Sequence, residues 1–221
     1  MSKPHIVLFD VNETLSNTEP LSATFKEIGA PELAAKLWFA QLLRDGLALT
    51  TAGTPRTFAD LATGSLRNLL PQWLTGGVDH AVEQVMNTLS ELQPHPDVTE
   101  GVRQLRAAGM RLVTLSNGSP DIADKLLTKA GVREEFDELL SVQDIGGWKP
   151  AAAAYRHAAQ TCDADLDAMI LVAVHAWDIH GAATAGMHTA WINRDGVDYP
   201  TYFEPAEYAA RSLPELAQHL S

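Results

Sequence analysis

Four short apolar runs, each closing on polar residues, recur along the chain with helix-patterned stretches between them. This alternation narrows the fold more than any other feature. Residues 5–10 read His-Ile-Val-Leu-Phe-Asp. Residues 109–118 end in Ser116-Asn117-Gly118, residues 168–174 run into His175-Ala176-Trp177-Asp178, and residues 189–193 form a fourth run. Short runs of aliphatic residues without polar alternation suit strands buried on both faces. Between them, stretches 97–108, 119–130, 150–162 and 179–186 place apolar residues at three- and four-residue spacing, as helices do. The second of these opens on Ser119-Pro120-Asp121, a helix start signal. The pattern predicts an α/β class with a Rossmann-like parallel sheet and helices on both faces. Ligands bind such sheets outside the carboxyl ends of the strands. Asp10, the Ser116-Asn117 pair and the stretch from His175 to Asp178 all fall on that edge.

The alternation breaks between the first and second runs. Stretches 31–49, 57–70 and 78–92 have helical apolar spacing, and Trp38, Phe39, Phe58 and Trp73 lie in this part of the chain. It reads as a helical cap domain, residues 16–93, inserted into an α/β core of residues 1–15 and 94–221. With 46% apolar residues in 221, there is enough for a core without disulfide staples. The single cysteine, Cys162, excludes an internal disulfide and a multi-cysteine metal site. A net charge of -12 argues against nucleic acid and against an anionic membrane surface as partners. Nothing resembles a signal peptide or a membrane span. A cytoplasmic protein acting on a small molecule is expected, and a homodimer stays open.

Phe9-Asp10-Val11-Asn12-Glu13-Thr14-Leu15 carries the chemistry. An aspartate at a strand end, followed by a tight turn, presents a carboxylate that can act as a nucleophile. Three further segments follow in order: Thr114-Leu115-Ser116-Asn117-Gly118, Trp148-Lys149-Pro150, and Val174-His175-Ala176-Trp177-Asp178. Together with the first they resemble the four motifs of the haloacid dehalogenase superfamily, and the resemblance covers the whole chain. It implies that Asp10 is the nucleophile and that Thr14 hydrogen-bonds around its carboxylate. It also implies that Lys149 and Asp178 support that carboxylate.

Within the superfamily, phosphatases use an acid two residues after the nucleophile, where this chain has Asn12. An amide cannot protonate an alkoxide leaving group. Their fourth motif supplies an aspartate to magnesium where this chain has Val174, and magnesium wants carboxylate oxygens. A halide needs neither a proton donor nor a metal. The segments 115–120 and 176–178 resemble those of type II 2-haloacid dehalogenases. That resemblance implies that Ser116 and Asn117 hold the substrate carboxylate and places Tyr155 at the site.

Two departures from that family stand out. Its halide-binding arginine has no counterpart in Leu37–Leu42, with Arg44 the nearest, and His175 stands where another polar residue is usual. Asn12, Asn117, His175 or Trp38 is then left to receive the halide, and Trp38 and Trp177 flank the site. The reading is a metal-independent, cofactor-free hydrolase acting at the α-carbon of a small carboxylic acid through an aspartyl ester. His175, with an ordinary pKa near 6.5, is the candidate base, and Asp178 also suits a helix start. Two alternatives remain: azetidine-2-carboxylate ring opening, as in hydrolases that also look like haloacid dehalogenases, and a phosphatase with an atypical metal site. A binding protein without activity is a third reading, disfavoured by the presence of Asp10, Thr14, Ser116 and Lys149 together.

Overall fold

Ile6–Phe9 is a run of four residues with no exposed surface, and it forms strand β1. Burying side chains of this size contributes about 1.5–3 kcal/mol each. The computed structural model describes residues 4–221. After β1 come β2 (Ser16–Asn17) and helices α1 (Glu19–Glu27), α2 (Leu33–Thr51), α3 (Phe58–Leu69) and α4 (Val78–Ser90). The chain continues through β3 (Gln93–Pro94), α5 (Val98–Ala107), β4 (Arg111–Ser116), α6 (Pro120–Lys129), β5 (Glu138–Ser141) and α7 (Ala152–Thr161). It ends with β6 (Met169–Ala173), α8 (Ala176–Ala185), β7 (His188–Ile192), β8 (Tyr208–Ala210) and α9 (Leu213–Leu220).

The chain divides into two compact units: one runs up to Ser16 and resumes over Gln93–Ser221, and the other is Asn17–Leu92. The first holds a six-stranded sheet of order β5-β4-β1-β6-β7-β8 in which every neighbouring pair is parallel. The α/β class read from the strand–helix alternation is the class observed. From β1 the chain lays down β4 and β5 on one side and then returns to place β6 on the other. The order therefore reverses at β1, the position where open α/β sheets form their binding crevice. Phe9 stands level with Thr114 on one side and Val172 on the other, so Asp10 leaves the sheet between two buried neighbours.

Strands β5 and β8 were not anticipated. Both are short, lie at the sheet's edges and expose Glu138 and Ala209, so neither offers an apolar run long enough to read as a buried strand. Helix α9 was likewise missed; it begins with Ser212 Oγ accepting from the Glu215 N–H, a helix-capping contact. Helix α8 begins at Ala176, ahead of the stretch 179–186 read from sequence, because its first turn carries Trp177 and Asp178 and the apolar spacing starts only at Ile179. Asp178 thus lies within the first turn, and His175 occupies the capping position.

The helical unit packs around Phe25, Trp38, Leu42, Phe58 and Leu66, all buried. Helix α1, also outside the sequence reading, contributes Phe25, whose ring centroid lies 5.9 Å from that of Trp38. Thr57 caps α3 by accepting from the Asp60 N–H at 3.1 Å. Among the described residues no helix is long and apolar enough to cross a membrane.

Candidate active site

Strand β1 delivers Asp10 to the sheet's carboxyl edge, and a tight turn follows, with Leu15 and Ser16 both donating to the Val11 carbonyl. The turn carries Thr14 back onto the aspartate: its hydroxyl donates to Asp10 Oδ2 at 2.6 Å. That hydroxyl in turn accepts from the backbone N–H of Val174, just past β6, at 3.1 Å. Two adjacent strands are thereby tied together around one carboxylate, which is only 4% exposed.

Lys149 completes the setting from the other side. Its ammonium, with no exposed surface, donates to Asp10 Oδ1 at 2.8 Å and to Asp178 Oδ2 at 2.6 Å. Asn117 fixes the backbone that carries it, with Oδ1 accepting from the Lys149 N–H at 2.9 Å. Behind the lysine, Tyr155 donates to Asp178 Oδ1 at 2.6 Å. Burial disfavours charge on Lys149, but the two carboxylates outweigh it and hold the ammonium above its usual range. For Asp10, burial alone would raise the pKa; the charges of Lys149 and His175 and their hydrogen bonds override it, so the carboxyl sits well below the usual range.

His175 bridges two carboxylates. Its Nδ1 lies 3.2 Å from Asp10 Oδ2 and its Nε2 lies 2.8 Å from Glu13 Oε2. Two carboxylate partners require a proton on each ring nitrogen, which is the imidazolium form. Burial opposes that charge, but the hydrogen bonds and charges of Asp10 and Glu13 lift His175 to about 10. Beside ionised Asp10 it is therefore a cation. Trp177 stacks on the ring at a centroid distance of 5.0 Å.

Asp10, Thr14, Lys149, Asp178 and His175 are thus in direct contact. Other expected residues stand differently. Tyr155, expected to touch substrate, is fully buried with its hydroxyl committed to Asp178, and so acts from behind the lysine. Trp38 is a core residue of the helical unit; its single polar hydrogen is shared between Ser65 Oγ at 2.9 Å and the Ala62 carbonyl at 3.3 Å. Nothing is left on the indole to donate to a halide. Ser116 Oγ accepts from the Gly118 N–H at 2.9 Å, which leaves its own proton available. A Cβ placed on Gly118 would lie 3.3 Å from Ser116 Oγ and 3.8 Å from Asn12 Nδ2. The bare glycine therefore lets the turn after β4 close against the Ser116 hydroxyl, with the Asn12 amide nearby.

Sequence reasoning missed three contributors. Glu13 was quoted only as part of its motif. Ser141, at the end of β5, donates to the Gly118 carbonyl at 2.8 Å and steadies the turn after β4. Gly181 lets α8 approach so closely that a Cβ there would sit 2.4 Å from Pro150 Cβ and 2.7 Å from the Tyr155 hydroxyl. The one available signal was Gly181 itself, a glycine inside a helical pattern.

A central strand ending in a buried, lysine-paired aspartate, on a parallel sheet, defines an enzyme of the α/β type. A family model described as haloacid dehalogenase-like hydrolase matches residues 4–186, and the chain belongs to that family of hydrolases. An (S)-2-haloacid dehalogenase of Pseudomonas sp. (strain YL) is 37% identical over 55% of this chain and 53% of that enzyme. (S)-2-haloacid dehalogenase H-109 of Pseudomonas putida is 25% identical over 97% of this chain and 96% of its own length. Among solved structures, an L-2-haloacid dehalogenase superposes with a TM-score of 0.92 at 27% identity, covering 99% of both chains.

The superfamily's phosphatases hold magnesium at this edge, but the residues present here do not fit that ion. Asp10 Oδ1 is engaged by Lys149 and Oδ2 by Thr14 and His175, while both oxygens of Asp178 face Lys149 and Tyr155. Position 174 is a valine, with no oxygen to offer from its side chain. Among the described residues no group of three or more His, Cys, Asp or Glu is arranged to hold a metal.

Proposed function

We propose that the enzyme hydrolyses a bond at the α-carbon of a small carboxylic acid, a 2-haloacid in the first instance, through an ester on Asp10. The observation that carries this reading is a buried carboxylate kept ionised by a fully buried lysine, with an amide, Asn12, in place of an acid two residues on. Asp10 attacks the α-carbon, and the leaving group departs with the bonding electrons. The substrate carboxylate is taken by the Ser116 hydroxyl and by the Asn117 amide N–H, the Asn117 Oδ1 being engaged by the Lys149 N–H. Water then adds to the ester carbonyl, releasing the 2-hydroxy acid and restoring Asp10.

The named activities of the relatives support this substrate class. A second reading, ring opening of azetidine-2-carboxylate, is favoured by the lack of an arginine in Leu37–Leu42 and by Arg44 donating to its neighbour Asp45 at 2.8 Å. That leaving nitrogen is already protonated and needs no halide-binding cation.

A panel of 2-chloro-, 2-bromo- and 2-fluoro-acids, azetidine-2-carboxylate and a phosphate ester, each with and without EDTA, tests the proposal. Halide release unaffected by EDTA is the expected result. Magnesium-dependent phosphate release, with no reaction of the other compounds, would overturn it.

A further inference from the structure

The Thr14 hydroxyl is not free to turn. Its one proton goes to Asp10 Oδ2 at 2.6 Å, and one of its lone pairs takes the Val174 N–H at 3.1 Å. The aim of this hydroxyl therefore depends on where Val174 lies. The ladder between β6 and β7 ends at Ala173 and Trp191, one residue short of Val174. A side chain takes over where the ladder stops: Trp191 Nε1 donates to the Val174 carbonyl at 2.9 Å. The two peptide groups that flank the Val174 Cα are thus both engaged, one by Thr14 and the other by Trp191. Peptide groups are planar, so fixing both planes leaves Val174 no soft dihedral.

Trp191 is itself held. It is buried, and the Tyr199 ring meets it edge-on at a centroid distance of 5.0 Å. Tyr199 lies in the segment 193–207 that joins β7 to β8. Its hydroxyl donates to the Glu204 carbonyl at 2.7 Å, with the Ala176 carbonyl of α8 at 3.4 Å. The Glu204 N–H donates to His180 Nδ1, also on α8, at 3.1 Å, and Phe203 packs on the His180 ring at 5.4 Å. Asn193 closes the near end of the segment: its Nδ2 donates to the Val197 carbonyl at 2.9 Å, and its Oδ1 accepts from the Val197 N–H at 3.0 Å. A loop with many exposed residues is in this way tied to α8 and presses an aromatic ring on the indole.

We propose that Trp191 is a positioning residue for the nucleophile: through Val174 it aims the Thr14 hydroxyl at Asp10, and Tyr199 braces it. This rests on the Asp10-ester reading above and deepens it, by giving the loop after β7 a part in that reaction. Packing alone accounts for a buried tryptophan. It does not account for the destination of its one polar hydrogen, the residue that supports Thr14. The route from Trp191 through Val174 and Thr14 to Asp10 crosses β7, β6 and β1, which lie side by side in the sheet.

The chemical consequence lies in the geometry of attack. Asp10 has to bring one oxygen in line with the breaking bond at the α-carbon, and a misplacement of about 1 Å can cost about 100-fold in rate. Lys149 holds Oδ1, and the Thr14 hydroxyl makes the shorter of the two contacts on Oδ2, so together they set the roll of the carboxylate. Without the Trp191 hydrogen bond, the Val174 peptide relaxes and Thr14 relaxes with it, while no group that meets substrate is removed. Bond formation should slow and binding should not change.

Trp191→Phe keeps a ring against Tyr199 and removes the donor. Hydrogen-exchange NMR of the full-length protein reads the coupling with no substrate present. The Val174 amide should exchange at least about tenfold faster in the variant, measured relative to Leu171 in the middle of β6. A Val174 amide unmoved relative to Leu171 would overturn the proposal.

Quenched-flow mass spectrometry, on a panel acid that the wild type turns over, reads the reaction. Trp191→Phe should slow ester formation on Asp10 about tenfold with KM within about twofold, and Tyr199→Ala should act in the same direction to a lesser degree. Thr14→Val removes the hydroxyl through which the effect runs. Added to it, Trp191→Phe should slow the ester step by less than about twofold, while its effect on the unfolding midpoint persists. Equal slowing in both backgrounds would make Trp191 a structural residue only, and the proposal would fall alone. If no panel acid labels Asp10 in the wild type, the ester reading fails and the proposal falls with it.

Discussion

The helical unit and the carboxyl edge of the sheet bury their polar groups in opposite ways. Inside the helical unit the buried polar contacts are neutral: Trp38 donates to Ser65, and the hydroxyls of Thr24 and Thr88 lie 2.9 Å apart. Ion pairs of that unit such as Lys26–Glu32, Arg44–Asp45 and Arg67–Asp79 stay outside, each side chain at least 42% exposed. At the sheet edge Asp10, Lys149 and Asp178 touch with almost no exposed surface, and His175 and Glu13 extend the chain of charges. Desolvating an ion costs several kcal/mol, and apolar packing would stabilise the same volume as well or better. The contrast teaches that stability does not call for the buried charges, which makes the sheet edge the place to look for chemistry.

The sharpest way to break this contrast is to remove the shared cation. Lys149→Met removes the cation shared by Asp10 and Asp178 and leaves Asp178 buried without a counter-charge, and should cost about 3–5 kcal/mol in denaturant unfolding as well as nearly all turnover. Arg67→Ala, at an exposed pair, should leave the unfolding midpoint where it is. Equal shifts for the two variants would erase the distinction.

Asp10→Asn should reduce turnover to at most a few per cent while near-UV circular dichroism stays native, because an amide is a poor nucleophile. Retained activity would remove Asp10 from the reaction. A single turnover of wild-type enzyme in heavy-oxygen water sharpens the point: label should appear in the Asp10 peptide. Label in product alone would mean that water attacks the substrate directly.

Gly181→Ala forces a methyl into Pro150 and the Tyr155 hydroxyl, and overpacking of this kind costs about 1–3 kcal/mol. Because Tyr155 holds Asp178 and Asp178 holds Lys149, kcat should fall more than the stability change alone would produce. A stable variant with wild-type kcat would show that Tyr155 is not needed to place the lysine.

On the other side of the comparison, Trp38→Phe should cost about 1 kcal/mol for the lost hydrogen bonds and leave KM unchanged. A KM raised several-fold would return Trp38 to the substrate. The smallest expected effect is none: adduct formation on Asp10 should keep its rate from about pH 8 down to about pH 5, because the nucleophile stays ionised far below the ordinary carboxylate range. A rate that falls with a midpoint near 4–6 would mean that Lys149 and His175 do not hold it so.

What the amino-acid sequence alone determined is whatever is local in the chain. Buried strands read as uninterrupted apolar runs, so β1, β4, β6 and β7 and their polar ends were legible. With them came Asp10, Thr14, Lys149 and Asp178, which fall in three of the four short motifs ordered along the chain. Of the inserted helices, α2, α3 and α4 were legible from their 3.6-residue period, and α1 was not. The edge strands β5 and β8 were not, because a short strand exposed on one side carries too few apolar residues to show a period.

Only the tertiary structure decided which side chains meet. Glu13 and His175 are 162 positions apart, and no spacing rule connects them. Whether His175 is a base or a cation depends on the two carboxylates that face it, not on its residue type. Tyr155 was placed at the site by motif spacing, but its hydroxyl turns to Asp178 because Gly181 lets α8 come within contact. Side-chain charge state and orientation follow from burial and from partners distant in sequence, and those come into existence only when the sheet has assembled.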